Sequence, residues 1–216
     1  MPGFINPPRD CPLCPRLAVF RAANRAISRS DEPEWHNAPV PGFGTLDGRL
    51  LIVGLAPGLK GANRTGRPFT GDYAGDLLYP TLQDFGFATG EYHQHIKDGL
   101  ELVDARLTNA VRCVPPQNKP IGSEIATCNA FLATEIAAMN RLEAILALGR
   151  IAHEAVLRAL DLKMSAAKFV HNARHLVAGR RLYDSYHCSR YNTNTGRLTV
   201  AMFRQVFEQI RHDLKD

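Results

Sequence analysis

Residues 49–58 read Arg-Leu-Leu-Ile-Val-Gly-Leu-Ala-Pro-Gly, a short continuous apolar run that stops at Gly54 and passes into a glycine- and proline-bearing loop. An apolar run of this length with no polar alternation is how a strand buried on both faces of a parallel sheet reads. Working outward, residues 106–111 and Ala144-Ile-Leu-Ala-Leu148 predict two further strands, and a fourth is expected just before His187. Helical patterns lie between them: Ala74 to Phe85 with a kink expected at Pro80, residues 122–140, and a helix from about Arg150. A helix over 16–30 with Leu17, Phe20 and Ile27 inward precedes a Pro/Gly linker from Asp31 to Gly44. Thr199 to Leu214 is amphipathic, with Val200, Phe203, Val206, Phe207 and Ile210 on one face. Strands alternating with helices predict an α/β fold, a three-layer α/β/α domain around a central, mainly parallel four-stranded sheet. In such sheets the working site lies beyond the carboxyl ends of the strands, which singles out the polar loops 54–75, 108–120 and 187–197.

With 216 residues and 45% hydrophobic content, the chain fits a single domain spanning 1–216. A net charge of +5 means little alone. The arginines, however, gather as Arg21, Arg25, Arg29, Arg64 and Arg67 and again as Arg174, Arg180, Arg181, Arg190 and Arg197; the grouping favours a polyanionic partner, composition alone favours an ordinary solvated basic surface, and the motifs decide between them. Neither a secretory leader nor a membrane span is read, so a cytoplasmic protein, nucleoid-associated in a bacterium, is expected, with no membrane partner and as a monomer.

In a reducing compartment disulfides are not expected, and the cysteines ask for another explanation. Cys11 and Cys14 stand as Cys-Pro-Leu-Cys, Cys113 lies in a turn-rich loop, and Cys128 follows in a helical pattern; Cys188 is isolated. The first four predict one all-cysteine centre of the [4Fe-4S] type, which would tie the N-terminal segment to the loop after Asn109. Thiolate ligation alone leaves zinc open as the alternative.

The first loop, Gly54-Leu-Ala-Pro-Gly-Leu-Lys-Gly-Ala-Asn-Arg-Thr-Gly-Arg-Pro-Phe-Thr-Gly-Asp72, carries neither a Walker A spacing nor GxGxxG, which excludes the common phosphate-loop and dinucleotide readings. Taken with Asn109-Ala-Val-Arg-Cys, the cysteine spacing and His187-Cys-Ser-Arg-Tyr-Asn-Thr-Asn-Thr-Gly-Arg197, it resembles the uracil-DNA glycosylase superfamily, in its iron-sulfur family 5 or type B branch. The resemblance covers residues about 11 to 200. It implies a monofunctional DNA-repair glycosylase that extrudes uracil from DNA, double- or single-stranded, and hydrolyses the N-glycosidic bond to leave an abasic site.

What the resemblance implies for single residues follows the motifs. Leu55 and Ala56 occupy the positions where other branches place a polar group, so Asp72 is the water-handling residue, alongside the plain alternative of a helix N-cap. Phe69 is the platform for the extruded pyrimidine, and Asn109 pairs with the N3-H and O4 edge of uracil. His187 faces uracil O2 and stabilises the charge that develops there, aided by the backbone of Gly54, Leu55 and Ala56. Ser189, Arg190, Asn192 and Arg197 belong to the loop that enters the groove, with Cys188 standing where a proline is usual. Other deaminated bases are a wider substrate range, and a non-catalytic damage-binding module with the same fold and cluster is the alternative from a different class.

Overall fold

The structure, a computed structural model, describes residues 4–27 and 35–214. Arg29, the expected end of the first helix and the start of the linker lie outside the described residues. In chain order the elements are α1 (Pro15–Ala26), β1 (Phe43–Gly44), β2 (Leu50–Gly54), α2 (Ala62–Thr65), α3 (Tyr73–Asp84), β3 (Ala88–Thr89), β4 (Glu101–Leu102), β5 (Ala105–Asn109), α4 (Gly122–Ala138), β6 (Ala144–Leu148), α5 (Arg150–Ala159), β7 (Arg174–Val177), β8 (Arg180–Ser185), α6 (Arg190–Asn194) and α7 (Val200–Asp213).

The four expected strands form the parallel heart of the sheet, two of them, β2 and β6, apolar throughout and two, β5 and β8, carrying polar residues. β2 pairs in parallel with β5 on one side and with β6 on the other, and β6 pairs in parallel with β8. Every residue of β2, β5 and β6 is buried, as strands covered on both faces must be. Leu50, Ile52, Leu107 and Tyr183 face α3 and α7, where Leu78, Leu82, Phe203 and Phe207 complete one core layer. Leu51, Val53, Ile145 and Leu182 face α4 and α5, meeting Leu132, Ile136, Ala152 and Val156. The period of two along each strand separates the two layers.

The expected four-stranded sheet is corrected to six strands in the order β1-β5-β2-β6-β8-β7. Both additions are antiparallel edges. β1 is only two residues long within the stretch read as a linker, and β7 is half exposed, so neither carries the buried apolar run that marks a strand in sequence. The expected helix around Pro80 is present, with Pro80 inside α3, which runs to Asp84.

A buried ion cluster joins the sheet to α4. Glu135, fully buried, accepts from Arg106 Nε at 2.6 Å and from Arg112 Nη2. A carboxylate out of water between two guanidinium groups is stable only while both charges are compensated. Replacing Glu135 by Gln is therefore expected to lower unfolding free energy by about 3–5 kcal/mol, seen as a lowered urea midpoint. A loss under about 1 kcal/mol would show that the two arginines find water instead.

Candidate active site

Because β5 and β6 lie on opposite sides of β2, the order of the parallel strands reverses around it, the switch point beyond whose carboxyl end sites of such sheets lie. The register sets Gly54 directly beside Asn109, the last residues of their strands. At Gly54 a Cβ would stand 2.4 Å from Phe69 Cζ and 2.5 Å from Asn109 Oδ1, so only glycine lets the ring and the amide meet there. Asn109 is buried. Leu55 and Ala56 follow with half-buried apolar side chains and bring no polar group.

Phe69 is held in an unusual conformation, with φ of 55°, which costs a bulky residue about 1–3 kcal/mol and persists only where its surroundings over-determine it. The surroundings here are a set of residues that sequence reading missed. Arg67, buried, donates to both oxygens of Asp98 at 2.8 and 2.6 Å and to Thr70 Oγ1 at 2.7 Å. Its guanidinium lies against the rings of Phe43, Tyr79 and Tyr92. Tyr79 and Tyr92 then donate to the carbonyls of Pro68 and Phe69 at 2.6 and 3.3 Å. Burial opposes the Asp98 charge, yet the Arg67 bonds hold its carboxyl well below the usual carboxylate range. No motif spacing announces Asp98; only the fold brings it to Arg67.

Asp72 is the N-cap of α3, accepting from the Ala74 N–H at 3.2 Å, so the capping role expected of it is present. Its second oxygen packs against the loop backbone: a Cβ on Gly61 would fall 2.2 Å from Asp72 Oδ2, and one on Gly58 2.9 Å. Burial raises its pKa, offset in part by the backbone N–H groups of Ala74 and Gly75. The same carboxylate acts on Cys188, whose fully buried thiol is pushed up to about 12 by burial first and by Asp72 next.

His187 closes the group from β8. Its ring centroid is 6.2 Å from that of Phe69, at a 33° tilt. Desolvation pushes its pKa down to about 4, so it is neutral near pH 7. Of the residues expected at the groove, Arg190 and Asn192 lie in the short helix α6, with Ser189 at its start and Arg197 beyond its end. Ser189 caps α6, and the Asn192 side chain donates to the His187 carbonyl at 2.8 Å. Arg190 lies over the Tyr73 ring and Arg197 over Tyr186, both exposed. Of the earlier arginine group, Arg21 and Arg67 are buried, Arg25 pairs at the surface with Asp10, and Arg64 is exposed.

Cys11, Cys14, Cys113 and Cys128 line one small cavity with Leu17, Arg21, Arg112 and Phe131. All four are free thiols. Cys14 sits at the N-terminus of α1, Cys128 on α4, and Cys113 four residues beyond β5. Arg21 Nη1 donates to Cys113 Sγ and the Arg112 N–H to Cys128 Sγ, both at 3.3 Å. Burial pushes the thiols of Cys14 and Cys113 up to about 11. A cation must therefore be present for these sulfurs to be thiolates together. Ala56 packs against this cluster, linking it to the first loop.

A family profile described as the Uracil DNA glycosylase superfamily matches residues 41–211. The chain is 44% identical over 212 residues to the type-5 uracil-DNA glycosylase of Thermus thermophilus, covering 97% of this chain and 96% of that protein. It is 39% identical over 210 residues to the type-5 uracil-DNA glycosylase of Pyrobaculum aerophilum, covering 97% and 92%. With that of Mycobacterium leprae it shares 42% over 207 residues, covering 93% and 90%.

The desolvation of the half-buried His187 has a measurable consequence. Its folded pKa, about 4, lies below the ordinary value of 6.5, so the unfolded chain binds more protons between those pH values and stability falls as pH drops through that window. An NMR titration is expected to show the His187 ring protonating near pH 4 in the folded protein, and His187→Asn should flatten the stability slope between pH 6.5 and 4. Protonation near 6.5 would mean the ring is open to water.

Proposed function

The chain belongs to the uracil-DNA glycosylase superfamily, and on that footing we propose that it is a monofunctional uracil-DNA glycosylase, which extrudes uracil from DNA and hydrolyses its bond to deoxyribose in base excision repair. The observation that carries the site assignment is the meeting of Phe69 and Asn109 at Gly54. An extruded uracil stacks on Phe69 while the buried Asn109 amide pairs with N3-H and O4; cytosine presents the reverse donor pattern and would leave that amide mismatched. The C1'–N1 bond breaks with its electron pair leaving on the base. His187, a neutral imidazole, donates to the developing anion at O2 and needs no proton from solvent to do so. Asp72, as carboxylate, orients a water toward C1', accepts its proton and offsets the positive charge on the sugar. The half-buried apolar side chains of Leu55 and Ala56 support a site that also admits other deaminated bases, since they present no fixed polar pattern to reject a larger ring.

We assign Cys11, Cys14, Cys113 and Cys128 as ligands of a [4Fe-4S] cluster. Two observations support this over zinc. Tetrahedral zinc with Zn–S near 2.3 Å draws its sulfurs to about 3.8 Å of one another. No three of these sulfurs lie within 4.8 Å, a spacing that only His153, His175 and Asp184 reach among the described residues. The cavity also sets a buried Arg21 against one sulfur, and Arg112 Nε and Nη1 have no partner among the described residues, a donor-rich wall suited to a net negative cluster. When bound, the cluster supplies cross-linking of the N-terminal segment to the loop after Asn109, and no catalytic atom.

Single-turnover release of uracil from a labelled duplex, read as alkali-labile strand cleavage, tests the activity. Asp72→Ala is expected to slow it about 10²-fold or more with duplex affinity within about two-fold, and His187→Ala about 10²–10³-fold. Equal loss of affinity would make either residue a structural one. In wild type the rate should fall in acid with a midpoint above 3.8, because burial raises the Asp72 pKa and protonation removes the base; Asp72→Asn should abolish that limb.

Elemental analysis of the purified protein is expected to give about four iron atoms per chain and visible absorption. Zinc in their place, or iron retained in a Cys113→Ser/Cys128→Ser variant, would overturn the cluster assignment.

A further inference from the structure

At the carboxyl end of β8 lies a buried polar network that takes no part in the chemistry above. Both ring nitrogens of His153 face acceptors, Nδ1 against Asp184 Oδ1 at 2.7 Å and Nε2 against the Ala167 carbonyl at 3.0 Å. Both must therefore carry protons, and His153 is an imidazolium paired with a fully buried carboxylate. Burial opposes its charge, but the Asp184 bond raises its pKa on balance. The same geometry leaves His153 no lone pair for a metal, although His153, His175 and Asp184 lie close enough to suggest one.

What the network holds is the segment 167–173. The Val170 N–H reaches Asp184 Oδ2 at 3.4 Å, the Asn172 N–H reaches the Asp184 carbonyl at 2.8 Å, and the Asp184 N–H reaches the Ala173 carbonyl at 3.1 Å. His171 Nδ1 accepts from the N–H of Tyr186, the residue just before His187, at 3.2 Å. A row of planar groups then runs along this segment. Phe169 meets Tyr186 at 6.3 Å, and His171 stacks on Tyr186 at 4.8 Å with 11° between the rings. Arg150 lies over Phe169 at 5.9 Å and Arg197 over Tyr186 at 4.7 Å. Arg150 directly follows Gly149, where a Cβ would come within 3.7 Å of the His187 Cβ, so the row passes beside the site.

Among the other ring-stacked arginines, Arg67, Arg106 and Arg204 are each neutralised by a carboxylate, while Arg211, half-buried over the Phe87 ring, has no such partner among the described residues. Arg150, Lys168, Arg190 and Arg197 are exposed and form no ion pair among the described residues. Arg150 is one helical turn from Glu154 and yet lies over Phe169. A guanidinium parked on a ring keeps its charge and its N–H fork free for a phosphate, and the parking fixes its place beforehand.

We propose that residues 167–173 and Arg150 form a second, preassembled part of the DNA-contact surface, beside the one at 189–197, in which Arg150 and Lys168 each engage one backbone phosphate near the extruded nucleotide. The buried His153–Asp184 pair serves to hold this surface rigid, so little ordering remains to be done on binding. Phosphate contacts of this kind set register and carry no base preference. The proposal rests on the glycosylase reading.

The test is the salt dependence of binding, by fluorescence anisotropy, of the intact protein to a duplex bearing a stable abasic-site analogue that it cannot cleave. Arg150→Ala and Lys168→Ala should each reduce the slope of log K against log salt by about 0.9. Arg158→Ala, on an equally exposed arginine in the last turn of α5, should leave it unchanged. Arg150→Lys, which keeps the charge, should keep most of the slope. If Arg150→Ala fails to fold, the exposed Lys168 carries the test alone. Slopes equal to wild type in both Ala variants would overturn the proposal, while a wild-type protein that neither binds duplex in a salt-dependent way nor releases uracil would instead overturn the glycosylase reading.

Discussion

The parallel register of β2 and β5, which sets a glycine beside an asparagine at the carboxyl edge of the sheet, is the constraint from which the rest of the site follows. With any side chain at position 54, the Phe69 ring and the Asn109 amide would be driven apart. With glycine there, the first loop folds back over the strand end and is fixed by Arg67, Asp98 and two tyrosines. That anchoring makes the left-handed conformation of Phe69 tolerable, and it delivers Asp72 to the start of α3. Capping and catalysis are compatible for Asp72 because they use different lone pairs: Oδ1 serves the helix while Oδ2 lies against the glycine backbone of the loop.

Although the chain is basic, it spends much of its positive charge inside. Arg106 and Arg112 share Glu135, Arg21 serves the cysteine cavity, and Arg67 serves the pocket loop. A sum over charges therefore says little about the surface a partner meets. Arg150, Arg190 and Arg197 are exposed and rest on rings with their charge uncompensated. The cysteine cavity and the pocket meet through the first loop, where Ala56 packs against the cysteine group two residues beyond Gly54. Disorder in the N-terminal segment would thus reach the pocket by packing alone.

Much of this was legible in the chain. The apolar runs of β2 and β6 identify parallel strands because burial on both faces favours that composition, whereas β5 and β8, with Arg106, Thr108, Asn109 and Asp184 buried in them, show the pattern only in part. The edge strands were not legible, because a strand with a solvent face needs no apolar run and β1 has only two residues. The proposed site residues Asp72, Asn109 and His187 were named from motifs in loops that follow predicted strands, and the structure brings the four cysteines, named from their spacing, to one cavity. Asp98, Tyr92 and the His153–Asp184 pair were not, since a lone aspartate or histidine has the same local appearance whether solvated or buried.

The sequence by itself thus determined the alternation of strands and helices and pointed to the cysteine set and the proposed site loops, since each shows in local composition or motif. Only the tertiary structure decided how those residues are held: which arginines face inward, that Arg67 finds Asp98, that His187 is desolvated, and that segment 167–173 is fastened beside it. The reason is physical. Burial and pairing are properties of distance in space, and the charge state and orientation of a side chain follow from neighbours that lie far from it along the chain.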